Sequence, residues 1–497
     1  MRHLKELVEI VAENRVKNSD LLNNISAPEQ RKDPYVKFFQ AIRKGHLMDD
    51  EQASHFFFKE PPGNKYRKFK FLFINKLLNT LSHINPERPG ISEYGKAELW
   101  CSQTRHNINT LSFFSGRITA DELCLKMLAK SQKYQLSEYI IFSAFTLLEH
   151  KAFSGGRDEY KLYDKIYEEW IGTHNAELQA KKFLRDIKIR YAKTIALKPE
   201  IAKLAFDYAT SVKKDIDKKS TFILNTYYYR LLAFGFQISL QYEKSLDVWK
   251  EMESYLEANE IFKSNTLLAE IALYKMGAYM YLKQYKDGLK CAAKCIKLFR
   301  PGISTRLVFM EYYFLMAMQS KKYNEALDIY ITSTKDPRMD MMPEVNQEKW
   351  KIYKGYVYYA TYKLKKEIDI SFNLKRFLND VTEFQHDKAG FNASALIIYI
   401  CILIREHDFV KAIDKLEALK QYNSKYLRKS HSKRTGIFVQ MLLKTYKYDF
   451  NSKVIKEKTI NQVNELKSVE YAHTMNMEGL EVIPYETLWE MILNDLK

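Results

Sequence analysis

The stretch Leu315-Met-Ala-Met-Gln-Ser-Lys-Lys-Tyr-Asn-Glu-Ala-Leu-Asp-Ile-Tyr-Ile-Thr-Ser-Thr-Lys-Asp-Pro337 decides how the chain is read. An apolar helical run ends in a short polar break. A second amphipathic run then opens on Tyr323, with a small residue, Ala326, three positions later and a large one, Tyr330, four beyond that. The same order recurs as Tyr242, Ser245 and Trp249, and as Phe409, Ala412 and Leu416; Tyr285 and Gly288 repeat it with Ala292 in the last place. The opening aromatics lie 43, 38 and 86 residues apart, the last interval being two units of 43. Between Tyr323 and Phe409 a degenerate unit fits, with one helix from Trp350 to Lys365 and another from Asn373 to Phe384. Self-similarity at this period marks stacked two-helix units, none of which buries its apolar face alone. The small residue lets the second helix approach the first closely, so a bulkier side chain there is expected to overpack.

Composition agrees with long helices. The 497 residues include only 16 Gly and 11 Pro, about half the usual combined share of roughly 12%. The 35 Tyr and 29 Phe sit among Lys, Glu, Leu and Ala at spacings of three and four rather than in alternation. The expected class is therefore all-α: an α-solenoid of stacked antiparallel helix pairs over 96–497. A capping helix over about 485–496 carries Leu488, Trp489, Ile492 and Leu496 on one face.

The quoted stretch resembles the tetratricopeptide repeat, which has a Tyr and a small residue three apart at the start of its second helix and a Pro near the end of the unit. The run Met276 to Pro301 is the next closest match. The spacing is longer than the family's repeat of about 34 residues, and its early Trp and regular Gly are missing. The resemblance implies a right-handed stack whose concave face holds an extended peptide or a partner's helix. It further implies that groove side chains come from the first helix of each unit. Counting back from the aligned aromatics places Tyr227, Arg230, Gln237, Tyr281, Glu311, Gln319 and Arg405 there.

Residues 1–95 read differently, as an N-terminal helical module. Leu4, Leu7, Val8 and Val11 stripe an opening helix, Tyr35–Lys44 forms another, and Asp49–Phe58 begins behind an acidic first turn. After the break at Glu60-Pro61-Pro62-Gly63-Asn64, a basic and aromatic helix runs from Lys65 to Ile84, and Pro86, Pro89 and Gly90 close the region. Lys65, Arg67, Lys68 and Lys70 alternate there with Tyr66, Phe69, Phe71 and Phe73. Nucleic-acid surfaces use such mixtures for phosphate contact and base stacking. At helical spacing, however, Tyr66, Phe69, Phe73 and Leu77 form a core stripe flanked by solvated cations. A second basic segment, Lys425 to Arg434, offers Arg428, Lys429, Lys433 and Arg434 as anion contacts or as a plain exposed connection.

Chemistry is sparse. The 11 histidines form no HExxH pair, and GxxxxGK[ST], GxSxG and strand-borne GxGxxG patterns are missing. Cys291 and Cys295, four apart on a helix, lack the further ligands a structural zinc site uses, so the plainer expectation is two small apolar residues at a helix interface. Asp215 and Asp217, two apart among lysines, read as a charged helix end. No catalytic residue, metal or cofactor is expected.

The formal net charge of +18 favours acidic partners, nucleic acid included, but is spread over a long chain. Five unpatterned cysteines, a charged opening segment and a longest apolar run of ten residues, Ala395 to Ile404, point to a cytoplasmic protein without a membrane span. The expectation is an interaction scaffold that binds a peptide or protein partner. The alternative is a DNA-associated regulator touching nucleic acid through residues 49–85, with the repeats as its sensor.

Overall fold

The computed structural model describes residues 1–14, 33–47, 49–154, 156–193, 198–299, 304–336, 339–362, 377, 391–425, 433–469 and 481–497. Every regular element among them is helical: 22 α-helices and three short 3-10 turns. The chain divides into two compact units. The first comprises Met1–Lys181, Val212–Asn225 and Asn259–Ser264, and the second Lys182–Ser211, Thr226–Ala258 and Asn265–Lys497.

The first unit contains two apolar cores. One gathers Leu4, Val8, Val11, Phe38, Phe39, Ile42, Tyr66, Phe73 and Leu77 from helices Arg2–Glu13, Pro34–Arg43 and Asn64–Leu81. Phe38 anchors it, its ring centre 4.9 Å from that of Phe73 and 5.2 Å from that of Phe57, the latter edge-on. The expected stripe is therefore a core stripe: Tyr66, Phe73 and Leu77 are buried and Phe69 is half-buried. Helix starts follow capping chemistry. The Asp33 carboxylate accepts from Tyr35 N–H at 2.7 Å, and that of Asp49 from Gln52 N–H at 2.8 Å. The second core joins helices Glu93–Phe113, Arg117–Lys133 and Ser137–Ser154, which pack consecutively, with Tyr163 and Trp170 against them.

In the second unit the successive helices from Asn265 to Lys447 pack each on the next, over one continuous core. Helices begin at Tyr242, Tyr285, Tyr323 and Phe409, the four aligned aromatics. Each start is preceded by the same backbone closure. Leu240, Lys283, Lys321 and His407 adopt left-handed φ values of 61, 55, 61 and 57°. The next N–H reaches back five residues: Gln241 to Phe236 at 2.8 Å, Gln284 to Tyr279 at 3.0 Å, Lys322 to Ala317 at 2.9 Å and Asp408 to Leu403 at 3.0 Å. This is the Schellman closure, which satisfies carbonyls left open at a helix end.

Burial repeats as well. Ser245, Gly288, Ala326 and Ala412 are buried, and so are Trp249, Ala292, Tyr330 and Leu416, whereas the opening aromatics are half-buried. At Gly288 the approach is too close for any side chain without a shift, since a Cβ there would lie 2.4 Å from Met316 Sδ.

Of the degenerate unit, the first helix is observed at Glu344–Thr361; its second, 373–384, lies outside the described residues except for Phe377. The last helix, Tyr485–Asp495, buries Leu488, Trp489 and Ile492 and packs on Phe391–Arg405, Ser452–Lys458 and Ile460–Ser468. No helix among the described residues is long and apolar enough to cross a membrane.

Candidate functional site

Helices of the second unit enclose a cavity of about 200 Å³. Helix Arg157–Lys193 supplies Tyr191, and helix Phe222–Ile238 supplies Phe234, Gln237 and Ile238. Tyr242 enters from the next helix, Leu273, Tyr274, Gly277 and Tyr281 from Asn265–Tyr281, and Val308 and Tyr312 from Ser304–Gln319. The i, i+4 and i+8 spacing of Leu273, Gly277 and Tyr281 places these three on one helix face. Gly277 keeps the floor open: a Cβ there would meet nothing nearer than the Tyr312 hydroxyl, at 3.7 Å.

Aromatic packing holds the walls. Tyr242 and Tyr281 stack with ring centres 4.1 Å apart and planes 6° apart, and Tyr274 stacks on Trp249 at 4.9 Å. Tyr191 meets Phe234 edge-on at 5.5 Å. Burial first, then the neighbouring Tyr281 hydroxyl, pushes the Tyr242 phenol well above its ordinary pKa. Burial does the same for Tyr312 and Tyr274, so these rings are neutral hydrogen-bonding groups. The Gln237 amide and the hydroxyls of Tyr191, Tyr274 and Tyr312 hydrogen-bond no described residue. No charged side chain lines the cavity. Arg230 and Glu270 form an ion pair whose charges act on Tyr274, and the Arg230 guanidinium lies 5.2 Å from the Tyr227 ring centre.

Of the seven groove residues expected from the repeat register, Gln237 and Tyr281 line this cavity, and Arg230 with Tyr227 sits close by. The other three are taken up by the chain itself. Glu311 is buried and accepts from the Tyr353 hydroxyl at 2.7 Å, with Lys349 Nζ at 3.3 Å. Gln319 is buried and donates to the Glu481 carbonyl at 2.7 Å. Arg405 pairs with Asp495 at 2.8 Å and lies over the Tyr359 ring at 3.6 Å. Later segments of the same unit cover these positions, so they are not open to a groove.

The basic residues separate in the same way. Lys65, Arg67 and Lys68 are exposed. Lys70 is tied to Asp50 at 2.8 Å, and the same carboxylate accepts from Tyr66 at 2.6 Å. Burial raises the Asp50 pKa, but the Lys70 and Tyr66 hydrogen bonds prevail and hold it down at about 2.

Lys433 is exposed and 3.5 Å from Glu465; Arg428 and Lys429 lie outside the described residues. Arg434 corrects the expectation of an exposed anion contact. It is buried, donating to Glu481 at 2.8 and 3.0 Å, to Glu486 at 2.8 Å and to the Val469 carbonyl at 3.1 Å. Two acids and two carbonyls, those of Val469 and Leu466, surround the guanidinium, so it serves the fold and offers nothing to an external anion.

Cys291 and Cys295 are half-buried and hydrogen-bonded to each other, which raises the Cys291 pKa and lowers that of Cys295. No cluster of three or more metal-ligating side chains occurs among the described residues. Asp215 and Asp217 pair with Lys218 and Lys213 on their own helix.

Sequence reasoning missed Tyr191, Phe234, Tyr274 and Tyr312, because a cavity-lining aromatic carries the same helical periodicity as a core aromatic. Gly277, an isolated glycine inside an otherwise continuous helix, was the available signal. No family model matches the chain, and no curated protein or solved structure matches it.

Proposed function

We propose that the chain is a non-catalytic interaction scaffold, a degenerate tetratricopeptide-like α-solenoid that holds a peptide or partner protein against the first-helix face of its units. On this reading the N-terminal 95 residues form a separate helical module, and Tyr485–Asp495 caps the stack. The observation that carries it is the aromatic cavity at the face where the repeat register expects ligand contacts, shared by Gln237 and Tyr281. The repeated closure before Tyr242, Tyr285, Tyr323 and Phe409 supports a common unit.

A random peptide library panned on the full chain tests it. Enrichment of peptides sharing a motif, with binding lost in Gly277→Leu, is the expected result. Absence of any enriched motif, or equal capture by Gly277→Leu, rejects the reading.

Helix Asn64–Leu81 supports a second reading, nucleic-acid contact. Lys65, Arg67 and Lys68 are exposed there, and Phe71 is 61% exposed one turn beyond Arg67, which offers a stacking face among cations. Retardation of nucleic acid at low salt, relieved by Lys65→Glu, Arg67→Glu and Lys68→Glu together, is its test. No retardation by the unaltered chain removes it.

A further inference from the structure

We infer that the cavity of the second unit is a receptor for one uncharged aromatic ring bearing a hydrogen-bonding substituent, a phenol or an indole. The inference deepens the interaction reading by naming what the site accepts, and it rests on that reading only in taking this face as open to a ligand.

Size sets the first limit. At about 200 Å³ the space is smaller than the roughly 300–1,000 Å³ of sites that take drug-sized ligands, yet exceeds the roughly 150 Å³ of an apolar cavity that accepts benzene. One ring fits and a nucleotide does not.

The walls set the second limit. Five tyrosines and Phe234 line the space, and four of these rings already form one stacked pair, Tyr242 with Tyr281, and one edge-on pair, Tyr191 with Phe234. An entering ring continues that packing and gains the quadrupole interactions an aliphatic group of equal volume lacks.

Charge is the third. A carboxylate or ammonium entering here would leave water without an opposite charge among the lining residues to receive it. The ring faces alone attract cations, so ammonium binding is a specific rival that the experiment must include.

Polarity supplies the substituent. The Gln237 amide and the hydroxyls of Tyr191, Tyr274 and Tyr312 are uncommitted to any described residue, and together they both donate and accept. A phenolic O–H or indole N–H satisfies such groups; toluene leaves them unpaired.

The ring has two possible sources, a free small molecule or a Tyr or Trp side chain of a bound peptide. Calorimetric titration of the full chain with 4-methylphenol, toluene, cyclohexanol, tetramethylammonium and the blocked tripeptide acetyl-Gly-Tyr-Gly-amide separates them. The expected result is saturable 1:1 binding of 4-methylphenol, tighter than toluene or cyclohexanol, and weaker by at least about tenfold in Gly277→Leu. Gln237→Leu, which leaves Gly277 in place, is expected to narrow the preference for 4-methylphenol over toluene and keeps the test valid if Gly277→Leu does not fold.

Tripeptide binding tighter than free 4-methylphenol assigns the ring to a partner's side chain; the reverse assigns it to a small molecule. No saturable binding of 4-methylphenol, equal binding of cyclohexanol or tetramethylammonium, or indifference to both substitutions overturns the inference. If 4-methylphenol binds while no library peptide does, the partner reading fails and the ring receptor stands; enriched peptides with no ring binding give the converse.

Discussion

The rings of Tyr242 and Tyr281 lie parallel, 4.1 Å apart, so that the first residue of one helix covers the last residue of the next. Both rings also line the cavity, which makes one contact serve packing and site shape together. A double-mutant cycle with Tyr242→Ala and Tyr281→Ala is expected to return a coupling of about 0.5–1.5 kcal/mol in denaturant unfolding. Additive single effects would show that the two rings act independently.

Two glycines in adjacent helices are expected to respond oppositely to the same substitution. Gly277→Ala meets only ordinary contact with the Tyr312 hydroxyl. It therefore gains helix propensity, about 0.5–1 kcal/mol of stability. Gly288→Ala places a methyl 2.4 Å from Met316 Sδ and 3.2 Å from Tyr279 Cβ, and Met316 is fully buried and has little room to give. Overpacking of about 1–3 kcal/mol should exceed the propensity gain. Denaturation midpoints that shift in the same direction for both would refute the contrast.

Ala326→Leu examines the small position where it is most regular. Ala326 is fully buried, and its helix packs on both Ser304–Gln319 and Glu344–Thr361. A loss of about 1–3 kcal/mol is expected, and an unchanged unfolding midpoint would show that the helices are free to move apart there.

How legible this was in the sequence depends on range. The starts at Tyr242, Tyr285, Tyr323 and Phe409 were readable because helix period and small-residue spacing are local. The turns before them were not readable from glycine, the residue that usually marks them, because Leu240, Lys283, Lys321 and His407 occupy the left-handed position instead. Arg434 was misplaced because its acidic partners, Glu481 and Glu486, lie about 50 residues further along and leave no periodic trace beside it. Gln319, Glu311 and Arg405 failed as groove residues for the same reason: what covers them arrives later in the chain. Gln237 and Tyr281 reached the cavity through the register alone, while its remaining tyrosines were indistinguishable from core.

Glu177 in the first unit supplies a pH test. It is buried, accepting from Ser137 Oγ at 2.6 Å and Thr221 Oγ1 at 2.7 Å, while Ser137 also meets His174 Nδ1 at 2.8 Å. Burial raises its pKa despite those hydrogen bonds and the nearby positive potential of Lys181 and His174. A carboxyl raised on folding favours the folded state below its ordinary pKa and loses that contribution as pH climbs through the raised value. Glu177→Gln removes the titration and keeps one of the two acceptor oxygens, a pH-independent difference that leaves the slope with pH as the readout. The stability of Glu177→Gln relative to the unaltered chain should therefore rise from about pH 4 toward about pH 8. A difference that does not change with pH would show that burial does not raise the Glu177 pKa.

Arg434 and Glu481 carry the strongest test of a buried pair. The Glu481 carboxylate is nearly inaccessible; burial pushes its pKa up, and Arg434, aided by the Tyr485 N–H, pulls it down. Removing one partner of such a pair strands the other, at a cost of about 3–5 kcal/mol. Arg434→Met is expected to lose about that much stability, because the buried Glu481 carboxylate then loses the guanidinium that donates to both its oxygens, at 2.8 and 3.0 Å. Adding Glu481→Gln should recover a large part of the loss, since a neutral amide is far cheaper to bury than a carboxylate. The recovery distinguishes a stranded charge from lost arginine packing: if the double variant is no more stable than Arg434→Met alone, the methylene stem and not the charge pair holds this end of the unit together.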